Sequence, residues 1–160
     1  MEMPRRLIEC LDENKVRYEI LQHPEAVTAQ RIAHAEHVKG RHHAKIVMIK
    51  WGDRHLMMVL PADHHIDMEK VKKAVGKAVS LDKEQEFKSL FPDCVIGAMP
   101  PFGHLYGLPT YVDQSLAERD YIVFEAGTHT DAIKISYRDY QKIAKPEVKE
   151  LGINPAPAGR

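Results

Sequence analysis

Lys45-Ile46-Val47-Met48-Ile49-Lys50-Trp51-Gly52-Asp53-Arg54-His55-Leu56-Met57-Met58-Val59-Leu60 holds two apolar runs joined by a Gly-Asp pair. Lys45–Trp51 is rich in Ile and Val and predicts a strand. Gly52-Asp53 predicts a turn, and Arg54–Leu60 predicts the returning strand of a hairpin. The architecture must therefore contain an antiparallel pair, and the remaining segments are read around it.

Upstream, Pro4–Asn14 sets Leu7, Ile8 and Leu11 on one helical face, with Asn14 as a stop. Tyr18–Leu21 predicts a short strand closed by His23-Pro24. Thr28 offers an N-cap oxygen to a helix carrying Ala29, Ile32, Ala33 and Ala35. Downstream, Pro61–Ile66 is a loop. Asp67 caps a helix that runs to Val75, with Gly76 at its C′ position. Asp82 caps another helix to about Leu90, ended by Pro92. Cys94–Ala98, Pro109–Val112, Tyr121–Ala126 and Ala132–Ser136 predict strands, and Tyr137–Ala144 a last helix. Helices and hairpins alternate without a regular βαβ rhythm, so the pattern predicts a mixed α+β domain on a largely antiparallel sheet. Residues 1–150 read as one domain, and 151–160, with two Pro and two Gly, as a frayed tail.

The 160 residues carry 23 Lys+Arg against 23 Asp+Glu, with 44% hydrophobic residues. That composition supports a packed core and excludes a disordered or histone-like polycation. One window departs from neutrality. Arg31, Lys39, Arg41, Lys45, Lys50 and Arg54 face only Glu36 and Asp53, a local charge of +4. It reads either as a solvated face or as a surface for phosphates. The N-terminus has no apolar h-region, and no apolar stretch is long enough to span a bilayer. Cys10 and Cys94 stand in no CxxC motif and read as two separate thiols. The expectation is a cytoplasmic protein without a membrane partner.

Four features carry possible chemistry. Lys45 opens an apolar strand, where it either snorkels or holds a phosphate or carboxylate as a point charge. Gly97-Ala98-Met99-Pro100-Pro101-Phe102-Gly103 is stiffened by two prolines between glycines. It is either a plain connection or a cradle whose backbone N–H groups meet an oxyanion. Ala126-Gly127-Thr128-His129-Thr130-Asp131 predicts a turn with His129 near its tip, structural or acid–base. His34 and His37, His42-His43 and His64-His65 form no HExxH and no zinc spacing, so no metal and no cofactor are expected. Phe102, Tyr106 and Tyr111 either stack on a base or fill the core. No Ser-His-Asp or Cys-His arrangement follows from local spacing.

In order, Tyr18-x4-His23-Pro24, Thr28-Ala29-Gln30, Ala44-Lys45, Leu60-Pro61-Ala62-Asp63, Gly97-x-x-Pro100-x-x-Gly103 and Phe124-x-Ala126-Gly127-x-His129 resemble the YbaK/prolyl-tRNA synthetase editing-domain family. The resemblance runs from about Leu7 to Ile143. It implies a mixed, mostly antiparallel, barrel-like central sheet flanked by helices. It also implies a trans-editing hydrolase that cleaves the ester at the 3′-terminal adenosine of a mischarged aminoacyl-tRNA. By resemblance Lys45 anchors the tRNA end, and the Gly97–Gly103 loop holds the ester carbonyl. His129 shapes the pocket or assists water, and Tyr18, His23, Thr28, Pro100, Phe102, Gly127 and Thr128 contact substrate. An aminoacyl ester is already activated, so positioned water and oxyanion donors suffice; one such donor is typically worth about 2.7–4 kcal/mol.

Many members carry a small polar residue after the lysine, where this chain has Ile46. That departure keeps a non-catalytic module for a tRNA end or a partner as the alternative. The expected partners are the acylated tRNA and, for tRNA selectivity, a synthetase or an elongation factor; no DNA is expected.

Overall fold

In the computed structural model the described residues are 2–23 and 40–155. The elements are α1 (Arg5–Glu13), β1 (Tyr18–Gln22), β2 (His43–Trp51), β3 (Arg54–Pro61), β4 (His65–Ile66), α2 (Met68–Val75), β5 (Ser80–Leu81) and α3 (Glu84–Phe87). They continue with β6 (Thr110–Asp113), α4 (Gln114–Ala117), β7 (Tyr121–Glu125), β8 (Asp131–Ser136), α5 (Tyr137–Ala144), β9 (Glu147–Lys149) and β10 (Gly152–Ile153). The helix expected from Thr28 lies outside the described residues.

The hairpin β2–β3 is the spine of an eight-stranded sheet ordered β1-β8-β7-β2-β3-β6-β9, with β5 also paired to β2. The long ladders β2–β3, β1–β8 and β7–β8 are antiparallel, while the shorter β2–β7, β3–β6 and β6–β9 junctions are parallel. Alternation along β2 and β3 sorts their side chains onto two faces. Ala44 and Met48 join Met57 and Val59 in a core with Leu7, Phe102, Phe124 and Tyr140. Ile49, Leu56, Met58 and Leu60 face the other way, against Val71 of α2 and Leu151.

The local signals around α2 hold. Asp67 Oδ1 accepts from the backbone N–H groups of Glu69 and Lys70, and Gly76 closes the helix at φ 73°. Three expectations are corrected. Cys94–Ala98 is not a strand: Ala98 N–H donates to Val95 O, and Gly97 stands at φ +98°. The segment folds on itself and clips onto the Gly127 turn, which competes with any ladder. The helix expected from Asp82 is shorter, Glu84–Phe87, followed by a 3₁₀ turn at Lys88–Leu90. Asp82 is engaged by His55 instead. The frayed tail does not begin at 151. Leu151 is fully buried, Gly152–Ile153 pairs with β4, and Asp113 Oδ1 accepts from the N–H groups of Leu151 and Gly152 at 2.7 and 3.0 Å.

Candidate functional site

The β2–β7 junction places the site. Ala44 is registered with Phe124, and both face the larger core. The residues that follow them, Lys45 and Glu125, therefore lie side by side on the opposite face, roughly 4.8 Å apart at the backbone. His43 precedes Lys45 on that same face and is fully buried. Glu125 Oε1 lies 3.1 Å from Nδ1 of His129, so the ring is held by the carboxylate. His129 in turn packs over Gly97: a Cβ placed there would stand 3.5 Å from the imidazole Cε1. His23 joins the cluster through its backbone N–H, which donates to Thr130 O at 3.0 Å. His129 thus joins Glu125 to the Gly97 turn, His43 and His23 act on the same carboxyl through their fields, and Lys45 stands on the neighbouring strand.

The electrostatics follow from burial. Desolvation pushes the Glu125 carboxyl above the ordinary glutamate range, against the hydrogen bond and field of His129 and the fields of His43 and His23. Desolvation also lowers the Lys45 ammonium, against the opposing field of Asp63. A half-buried cation and a buried carboxylate–imidazole pair therefore share one face.

The Gly97–Gly103 loop has few free donors. Ala98 N–H and Phe102 N–H are spent within the loop, on Val95 O and Pro100 O. Pro100 and Pro101 have none. Gly97 N–H meets the thioether of Met99 at 3.2 Å, a weak acceptor that an oxyanion displaces readily. Gly97 is exposed, stands at positive φ, and lies under the His129 ring. The loop is clamped to the next turn by Val95 N–H to Gly127 O and Gly127 N–H to Ala98 O, at 2.8 and 2.7 Å.

Several expected site residues lie elsewhere or do other work. Phe102 is fully buried in an edge-to-face aromatic cluster with Phe124 and Tyr140, ring centroids 5.3 Å apart in each pair, and presents no face to a ligand. Gly103 is enclosed: a Cβ would strike Thr110 Oγ1 and come within 2.8 Å of Leu108 O. It is glycine for packing. Pro100 is buried beside it. Tyr18 begins β1, five residues from His23 and so roughly 16 Å away along the strand, with its hydroxyl donating to Asp12. Gly127 is backed by Pro4 at φ +86°. Thr128 donates to Asp131 Oδ2 and accepts from the N–H groups of Thr130 and Asp131, which shapes the turn that presents His129. Thr28 lies outside the described residues, as do His34 and His37.

Glu125 does not stand out in the sequence, and His43 stands out there only as half of the His42-His43 pair. Their signal is period two: His43-x-Lys45 and Tyr121-x-Val123-x-Glu125 each put a polar residue on one strand face. His42 is drawn away instead, stacked on Tyr121 with Nδ1 at 3.0 Å from its carbonyl oxygen. Cys10 and Cys94 are separate free thiols. Among the described residues no group of three or more His, Cys, Asp or Glu is arranged to hold a metal ion, and no helix is long and apolar enough to cross a membrane.

The model of the aminoacyl-tRNA editing domain matches residues 23–143, a span that holds every residue of the cluster. The chain is 27% identical over 150 residues to the Multifunctional Ser/Thr-tRNA deacylase ProXp-y of Escherichia coli (strain K12), covering 90% of this chain and 89% of that one. It is 24% identical over 155 residues to the Prolyl-tRNA editing protein ProX of Acetoanaerobium sticklandii, covering 91% and 92%. A crystal structure of a candidate trans-editing enzyme for prolyl tRNA synthetase superposes with a TM-score of 0.79 at 20% identity, covering 93% of this chain and 96% of that one, which shows the shared fold. With its fold matched and most of its length inside the family model, this chain belongs to the aminoacyl-tRNA editing domain family.

Proposed function

We propose that the protein is a free-standing hydrolase that removes a wrongly attached amino acid from the 3′-terminal adenosine of a tRNA. What supports the assignment of residues is the chain of contacts from Glu125 through His129 to the Gly97 turn, beside the strand that carries Lys45. Family membership supplies the reaction class.

The chemistry needs no protein nucleophile. Water attacks the ester carbonyl carbon, and the carbonyl oxygen becomes an oxyanion. Gly97 N–H turns from the Met99 thioether to that oxygen. His129, held through Nδ1 by Glu125, presents its other ring nitrogen, Nε2, to the attacking water. The tetrahedral intermediate collapses with loss of the ribose oxygen, which takes up a proton, and the amino acid leaves as its carboxylate. Lys45 anchors the tRNA terminus by charge. Its low polarity surroundings strengthen that attraction relative to water. In this reading the protein works in the cytoplasm beside the translation apparatus, with a synthetase or elongation factor as the partner that delivers acylated tRNA.

The relatives' names choose the test panel: Ser-tRNA and Thr-tRNA mispairs, and mischarged prolyl-tRNA. The wild-type chain is expected to release the amino acid from at least one. Lys45→Ala should lower kcat/KM by about 100-fold, near 2.7 kcal/mol, with an unchanged melting temperature. Binding of the acylated tRNA without release would replace the hydrolase by a module that only holds the tRNA end.

A further inference from the structure

The described part of the basic window, Arg41, Lys45, Lys50 and Arg54, does not stay together. Lys50 is paired with Glu86 at 2.9 Å, Arg54 lies over the Trp51 ring, and Lys45 turns into the site. Arg41 goes elsewhere. It lines a cavity of about 320 Å³ with Arg119, His64, Asp63, Ser115 and Asn154. Arg119 comes from beyond α4, far along the chain, and is oriented by its Nε–H donating to Ser115 O at 3.2 Å. Neither guanidinium is held by a carboxylate among the described residues, whereas Arg6 is committed to Asp93 at 2.7 Å. The one acid of the cavity, Asp63, is already engaged by His64 at 2.7 Å and faces the Lys45 ammonium. Its carboxylate is therefore engaged within the protein rather than by either arginine. The cavity is lined by Asp63, whose field also reaches the Lys45 ammonium of the candidate site.

We propose that this cavity is a phosphodiester subsite, in which Arg41 and Arg119 grip a backbone phosphate of the tRNA 3′ strand just upstream of the reacting nucleotide. Two planar guanidiniums facing one small polar cavity suit the oxygens of a single phosphate group. A nucleotide strand with its terminal ester near Lys45 carries its next phosphate one nucleotide upstream, and the cavity beside Asp63 is the neighbouring place for it. The inference rests on the proposed deacylase reading and adds to it the contact that separates a tRNA from a bare aminoacyl ester.

The test uses the full chain with two substrates: an acylated tRNA, and the same amino acid esterified to adenosine, which has no phosphate. Arg41→Gln and Arg119→Gln should each raise KM for the tRNA about tenfold, the ordinary weight of a charged hydrogen bond, with little change in kcat. Hydrolysis of the adenosine ester should be unaffected. The slope of log KM against log salt should become shallower by about one for each arginine. An unchanged tRNA KM and salt slope in the double variant would overturn the subsite while leaving the hydrolase standing. So would an equal loss on both substrates, or competition by millimolar inorganic phosphate with no effect of the variants on tRNA. If wild type hydrolyses neither substrate, the hydrolase reading fails by itself. Uncharged tRNA binding then decides the subsite: about tenfold weaker binding by each variant supports it, and equal binding rejects it.

Discussion

Glu125 is the residue whose chemistry is most constrained by its place. Its carboxyl is buried at the end of β7 with three histidines in its field, and burial raises it above the usual glutamate range. The sign for stability follows. The folded state holds the proton more tightly than the unfolded chain, so stability falls as pH rises from about 4.5 through the raised value. Glu125→Gln removes that cost and keeps an oxygen for Nδ1–H of His129. Its melting temperature should equal or exceed that of wild type at pH 7, with the gap closing toward pH 4. Its deacylation rate should drop about tenfold, because an amide holds the ring less firmly than a carboxylate. Differential scanning fluorimetry across pH, beside turnover, checks both. Lys45 bounds activity from the other side: its ammonium is lowered by burial, so the alkaline limb should fall at a pH below that of an ordinary lysine. The two thiols should be quiet. Burial and the nearby Asp93 charge take Cys94 to about 11, against the help of Tyr106, and Cys10 is also raised. A thiol reagent at pH 8 should label the native protein slowly and the unfolded protein at two sites.

Elements explain which parts were legible beforehand. The β2–β3 hairpin and α2 were legible because their signals are local: Gly52-Asp53 at the turn, Asp67 and Gly76 at the caps. Lys45, Gly97 and His129 were legible as isolated hints, but what joins them is not in any short window. Glu125 becomes meaningful only through the β2–β7 register, and Met99 only because its sulfur meets the Gly97 N–H. Cys94–Ala98 has the composition of a strand and lacks a partner strand, and burial against the core explains its apolar content equally well. β9 and β10 are short, and β9 carries two charged residues; their pairing depends on β6 and β4 far upstream. Two glycine predictions belong at this scale. Gly103→Ala drives a methyl into Thr110 and Leu108 O and should cost about 1–3 kcal/mol, read as a lower urea midpoint. Gly127→Ala meets Pro4 Cγ at 2.7 Å and an unfavourable φ, so it should destabilise at least as much and loosen α1 from the site.

At the scale of the whole molecule, Asp113 ties the last strands to the sheet. It accepts from Leu151, Gly152 and both the N–H and the hydroxyl of Ser115. Asp113→Ala leaves those donors unmet in a buried setting and should lower stability by about 3 kcal/mol, measured by denaturant titration. Deleting 151–160 should produce a comparable loss, because it also removes the fully buried Leu151 from the smaller core. The sheet order has a consequence for biosynthesis. Tyr18 must find Ile135, and the backbone of His23 must find Thr130, before the first strand has a neighbouring strand among the described residues. A ribosome releasing this chain from its amino end exposes that strand, with Ile20 on it, long before its mate emerges. Vectorial synthesis thus delivers the face proposed to carry the reaction only in the final stretch of translation, and a prematurely terminated product should be an aggregation-prone fragment rather than a slow enzyme.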